Sequence, residues 1–158
     1  GSEEEKTMNS EFIIAVHALV FLYHKQEVVA SDVLAENVCT NPVCIRKVMG
    51  KLKKAGLVDT KEGASGGYRL CRDGADCTLQ SVGEALGTEF VKATWTSGNA
   101  DKECMICSGM AKIIDEMASD MNKLCREYME KLTVADIERK VLASKSENTQ
   151  DSSIMKIL

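Results

Sequence analysis

Two groups of residues in this 158-residue chain have types and spacings that could do chemistry. The first is Cys104-Met105-Ile106-Cys107. A Cys-x-x-Cys pair reads three ways: a redox couple, half of a metal site, or coincidence. Its place at the start of a long helical pattern adds one argument. A helix N-terminus stabilises a thiolate, so the pKa falls and the reactivity rises. The second group is basic. Residues 40–72 carry Arg46, Lys47, Lys51, Lys53, Lys54, Lys61, Arg69 and Arg72 against Asp59 and Glu62. Eight positive against two negative charges make a local +6 in a chain whose formal net charge is −4. Such a patch suits phosphate contact, although charge count alone favours a solvated helix face.

These residues need elements to position them. The apolar stripe Phe12, Val16, Leu19 and Tyr23 predicts a helix from Asn9 or Ser10 to Tyr23. Its apolar run, Phe12 to Leu22, is shorter than the roughly 20 residues that a membrane span needs. The preceding Glu3-Glu4-Glu5 has the wrong charge for a secretory leader. Gly1-Ser2 reads as an expression scar, with Met8 as the native start. Val28-Val29 is a short β-prone step. Ser31 reads as the N-cap of a helix to Val38, and Cys39-Thr40 as a tight turn. Asn41 caps a second helix, with Pro42 preorganised at its first position. This helix carries Ile45, Val48, Met49 and Leu52 to Ala55, and Gly56 stops it. Two helices of these proportions, separated by about three residues, predict a helix-turn-helix. Leu57–Lys61 and Tyr68–Cys71 read as strands around the glycine-rich tip Gly63-Ala64-Ser65-Gly66-Gly67. Thr78 caps a short helix containing Val82 and Leu86.

A connector without clear period, with Trp95 in its middle, leads to the long helix. There Met110, Ile114, Met117, Met121, Leu124 and Tyr128 advance by alternating steps of four and three, a heptad seam that continues to Leu132. Packing on its own domain is one use of such a seam. Dimerisation is favoured, because the rest of the chain can bury its own core. Thr133 and Asp136 open a final helix to about Leu142 in capping-box fashion. The predicted fold is mainly α with a small β-hairpin: a winged helix-turn-helix plus a long C-terminal dimerisation helix. The expected division is an N-terminal tag or disordered stretch over 1–7, a winged-helix domain over 8–87 and a connector over 88–103. Dimerisation and sensor helices follow over 104–143, then a flexible tail over 144–158. The apolar residues 154–158 have no assigned role.

The ordered set Gly56-Leu57-Val58, Gly63 and Gly66-Gly67-Tyr68-Arg69-Leu70 resembles the wing of the IscR/NsrR/CymR (Rrf-two) family of winged-helix regulators. The resemblance spans residues 8–142 and is strongest over 31–87. It implies a bacterial, homodimeric transcription factor on a partly palindromic double-stranded operator, with the long helices of two chains crossing. It also implies repression or activation tuned by redox state, nitric oxide, iron–sulfur status or a thiol metabolite. A repressor modulated by thiol redox or a small molecule is the favoured reading. The positions matching the family's DNA face are Asn41, Val43, Arg46 and Lys47, beside Pro42. Arg46 is the candidate for guanine, and Lys51, Lys53 and Lys54 suit phosphate. From the wing, Lys61, Ser65, Gly66 and Arg69 join the expected DNA face. Family members often carry Arg just before the first wing glycine; Glu62 stands there instead.

Cys104 matches the last of the three connector cysteines of cluster-bearing members, and Cys107 falls near an extra ligand. The two earlier cysteines are absent, since 87–103 contains none. An ordinary iron–sulfur cluster is therefore not expected, and no cofactor is. Cys104, with Cys107, is the redox-sensor candidate, reduced structural cysteines beside an effector pocket being the bland alternative. The remaining alternatives are a metal or cluster regulator using Cys104 and Cys107 with other ligands, and a thiol oxidoreductase. The latter would need a βαβ frame that the flanks lack, so no enzyme is expected. Cys39 and Cys44 flank the turn into the second helix of the pair, Cys71 and Cys77 could close a hairpin-end disulfide, and Cys125 reads as core. His17 and His24 read as packed or surface residues. The seven cysteines without a disulfide framework point to a reducing cytoplasm.

Overall fold

The computed structural model describes the backbone of residues 2–157 and the side chains of residues 10–148. The chain runs α1 (Ser2–Lys25), α2 (Ser31–Val38), α3 (Pro42–Lys54), β1 (Val58–Lys61), β2 (Gly67–Leu70), α4 (Leu79–Leu86), α5 (Met105–Glu130) and α6 (Val134–Ile157). The strands pair antiparallel, Val58 opposite Leu70 and Lys61 opposite Gly67. This is the winged helix-turn-helix that the glycine tip and the Asn-Pro start predict.

Local chemistry explains most element ends. Asn41 caps α3 through its Oδ1, which accepts from the Cys44 amide at 2.8 Å, and Pro42 occupies the first turn. Thr78 does the same for α4, accepting from the Ser81 amide at 3.2 Å. Thr133 and Asp136 form the reciprocal capping box at α6, at 2.9 and 3.1 Å. Cys39 closes α2 in the left-handed region, φ 62°, and the Thr40 amide reaches back to the Ala35 carbonyl.

Four expectations change. Ala30, not Ser31, is the N-cap of α2. Val29 is held in a bridge with Tyr68, so the helix begins directly after it, and the Leu34 amide bonds to the Ala30 carbonyl. The first helix starts at Ser2 rather than near Asn9, so 2–7 is helical backbone rather than a disordered stretch. The last helix runs to Ile157 instead of ending at Leu142, so the expected flexible tail is helical backbone. No Gly or Pro interrupts residues 134–157, and polarity alone does not stop a helix. The side chains of 154–158 lie outside the described residues. Finally, the long helix stops at Glu130, so Leu132 falls in the turn that follows the seam.

The core lies under the wing domain. Ala15, Ala18, Leu19 and Leu22 of α1 meet Leu34 and Ala35 of α2, Ile45, Val48, Met49 and Leu52 of α3, Val58 and Val82. The predicted stripe on α1 is therefore rotated: Phe12 and Val16 are only half-buried. Packing around α1 comes from several sides, so its apolar run is broader than one stripe. Val134 joins the same core, tied by its amide to the Cys77 carbonyl at 2.9 Å.

The wing is joined to this core by one close approach. Gly67 sits so near the Val29 carbonyl that a Cβ would collide with it. The Val29 and Tyr68 amides exchange bonds with each other's carbonyls there, at 2.9 and 2.8 Å. Gly67→Ala is expected to lower stability by about 1–3 kcal/mol through overpacking, read as a lower denaturant midpoint with unchanged slope.

Candidate nucleic-acid interface

Capped by Asn41, α3 projects its first turn outward. Asn41, Val43, Arg46 and Lys47 are exposed, while Ile45, Val48, Met49 and Leu52 face the core. The helix therefore has two faces fixed by burial; Asn41, Val43, Arg46 and Lys47 fall on the outer one, while the other two candidates here, Pro42 and Lys51, are half-buried. Arg46 makes no ion pair with any described residue. Its guanidinium fork remains available for bidentate contact.

The other cations are less free than their sequence suggests. Glu11 of α1, 7% exposed, places Oε1 3.1 Å from Lys47 Nζ and Oε2 2.7 Å from Lys51 Nζ. Burial pushes the Glu11 carboxyl up, but the hydrogen bonds from Lys51 and then Lys47 outweigh it and hold its pKa below the ordinary value. Lys53 donates to Thr60 Oγ1 at 2.8 Å. Arg69 lies 3.5 Å from Asp59, both substantially exposed, so screening leaves this pair little worth. Lys61, Glu62 and Ser65 are exposed on the wing beside the half-buried Gly66. Glu11 was not foreseen. A signal existed: it lies on the stripe of Ala15, Ala18 and Leu22, an acidic residue on the face that becomes core.

Cys104 is the N-cap of α5 and is exposed. It makes no full capping hydrogen bond, yet the amides of Cys107 and then Ile106 face its sulfur and lower the thiol pKa below its ordinary 9.0. Burial pushes the Cys77 thiol up, the opposite environment. None of the seven cysteines is disulfide-bonded, Cys71 and Cys77 included; Cys39 is exposed, and Cys44 and Cys125 are half-buried. The connector is strapped to α5 by Asn122, a residue the sequence did not mark. Its Oδ1 accepts from the Phe90 and Val91 amides at 3.0 and 2.9 Å, and its Nδ2 donates to the Val91 carbonyl at 2.5 Å.

On α5 the seam is open. Met110 and Ile114 are half-buried, whereas Met117, Met121, Leu124 and Tyr128 are exposed, the last two by 64% and 62%. A second apolar surface, unforeseen, is a groove of about 510 Å³ between α1 and α6, lined by Phe12, Ile13, Val20, Ile137, Val141 and Leu142. His17 and His24 also line it, bonded to Asn37 at 2.8 Å and Glu138 at 3.2 Å. No helix among the described residues is long and apolar enough to cross a membrane.

Comparison with known proteins agrees with this geometry. Residues 8–140 match the Rrf2 family model, described as an iron-dependent transcriptional regulator. The Bacillus subtilis protein YwnA, described as an HTH-type transcriptional regulator, is 25% identical over 130 residues, 82% of this chain and 96% of that one. The HTH-type transcriptional regulator IscR of Vibrio vulnificus is 29% identical over 96 residues, 59% of this chain and 52% of its own. A crystal structure of a transcriptional regulator from Lactobacillus plantarum superposes with a TM-score of 0.71 at 26% identity, covering 90% of this chain and 97% of that one. CymR of B. subtilis, at 17% identity and a TM-score of 0.59 over 85% and 94% of the two chains, shares the fold.

The family description raises the question of an iron site. The donor set among the described residues does not fit one. No three His, Cys, Asp or Glu side chains converge among the described residues. Residues 87–103 lack cysteine, and Cys104 and Cys107 alone provide half of the four thiolates that a cluster takes. The family model and these relatives are all described as transcriptional regulators. With more than four-fifths of its length matched, the chain belongs to the Rrf2 family of transcriptional regulators.

Proposed function

We propose that the chain is a homodimeric repressor of a partly palindromic operator, released from DNA by oxidation of Cys104 or by a small-molecule signal, and that it works without a resident cluster. The observation that carries this is the outer face of α3: a capped N-terminal turn with the exposed Arg46, in no ion pair with any described residue, beside a glycine wing. Asn41, Pro42, Val43 and Arg46 read bases. Lys61, Ser65, Gly66 and Arg69 approach the backbone of the duplex from the wing, with Glu62 limiting insertion into the minor groove. The exposed seam on α5 supports pairing with a second copy, since an isologous contact buries both seams at once. A reducing cytoplasm suits the thiols.

The lowered pKa and exposure of Cys104 support the redox input. Its thiolate attacks a peroxide oxygen, releasing hydroxide and leaving a sulfenic acid; Cys107 then condenses with it to a disulfide with loss of water. Titration of a labelled duplex from the chain's own promoter region tests both parts. A steep salt slope with sequence preference is expected, together with release by peroxide in the wild type and none in Cys104→Ser. Oxidant sensitivity that survives Cys104→Ser would remove Cys104 from the mechanism. Visible absorption by anaerobically purified protein would overturn the cluster-free reading.

A further inference from the structure

Among the described residues, Glu11 is the one charged side chain that is buried. It bridges two lysines one turn apart on the helix proposed to read DNA. We infer that Glu11 sets the discrimination between operator and bulk DNA by holding Lys47 and Lys51 off the phosphates. This rests on the reading of α3 as the recognition helix.

The argument is one of competition. Non-specific affinity comes almost wholly from free Lys and Arg groups that displace counterions from phosphate. Lys47 and Lys51 share an α-helical face four residues apart, and both ammonium groups converge on one carboxylate. These are short charge-assisted contacts on a poorly solvated partner. A phosphate that captured either lysine would strip compensation from a buried anion, which is costly. A lysine is a compact point charge that rarely serves two anions well. Arg46, adjacent in sequence, has no such partner among the described residues, so base reading keeps its cation. The pairing therefore trims the sequence-independent part of binding more than the sequence-dependent part. The quantity that matters in a genome is their ratio.

Charge also argues against a purely structural role. An apolar side chain at position 11 would continue the core stripe of Ala15, Ala18 and Leu22 without desolvating a carboxylate. The ion pairs instead tie α1 to α3 through Lys47, next to Arg46, and Lys51, one turn further on.

The test compares full-length wild type and Glu11→Gln on two duplexes of equal length, one from the chain's own promoter region and one of scrambled sequence. Affinities are measured across salt concentration. Glu11→Gln is expected to steepen the slope of log affinity against log salt on scrambled DNA by about 1–2 units, one per lysine released. Scrambled-DNA affinity at low salt rises about tenfold or more, and the promoter-to-scrambled ratio falls. Glu11→Met, which fills the same volume without charge, gives the same change should Glu11→Gln fold poorly; Glu11→Asp stays near the wild-type slope. Adding Lys47→Met and Lys51→Met to Glu11→Gln brings the slope back down. An unmoved or shallower slope in the folded charge-removing variants overturns the inference, the shallower result meaning that Glu11 presents the lysines to phosphate. A wild type that binds neither duplex fails the recognition-helix reading instead.

Discussion

Leu124→Glu is expected to convert the chain from dimer to monomer at micromolar concentration without unfolding it. Leu124 is largely exposed within one chain, so its own domain does not depend on it. In an isologous pair it would be buried twice, once from each copy. Removing one buried leucine costs about 1.5–3 kcal/mol, so two copies raise the dimer dissociation constant by roughly two to four orders of magnitude. The neighbours Met117, Met121 and Tyr128 form the same exposed seam, and charge at Leu124 would sit among them. Sedimentation equilibrium reads the result directly. DNA binding should fall with dimerisation, because two half-sites one helical turn apart need two linked recognition helices. A variant that remains dimeric at wild-type affinity would place the interface elsewhere, the groove between α1 and α6 being the next candidate surface.

Arg46→Ala should weaken specific operator binding by about 1–3 kcal/mol for each half-site and relax the base preference there. Scrambled-sequence affinity should change far less, by about the one phosphate contact that an arginine can make. The prediction is sharp because Arg46 is exposed and makes no ion pair with any described residue. Truncation therefore leaves the fold untouched, and a thermal melt should match the wild type. Titration at fixed salt checks it; unchanged affinity and unchanged preference would remove Arg46 from base reading.

How much was legible beforehand depends on the range of the interaction. The Asn41-Pro42 start, the Thr78 cap and the Thr133/Asp136 box are contacts within three residues, and each appears where its motif predicts. The wing was legible for a similar reason: its glycines permit a close turn that few other residues tolerate. The Ser31 cap misled, because a bridge between Val29 and Tyr68, some forty residues apart, decided where α2 begins. The ends of α1 and α6 misled differently: charged and polar residues were read as disorder, though nothing in them breaks a helix.

The candidate site divides along the same line. The amino-acid sequence alone determined the helix-turn-helix, the basic outer face with Arg46, the thiol at the head of the long helix and the heptad seam. Each is a periodic or local pattern, and local patterns survive without knowledge of the neighbours. Only the tertiary structure decided which of those charges remain free. Glu11 lies 36 and 40 residues from Lys47 and Lys51, and no spacing rule connects them. Packing α1 against α3 brings the carboxylate within 3.1 Å of both ammonium groups. Burial of the carboxylate lessens the screening of the contact, although both ammonium groups stay partly exposed, so a long-range pairing engages cations that the sequence presents as one uniform patch.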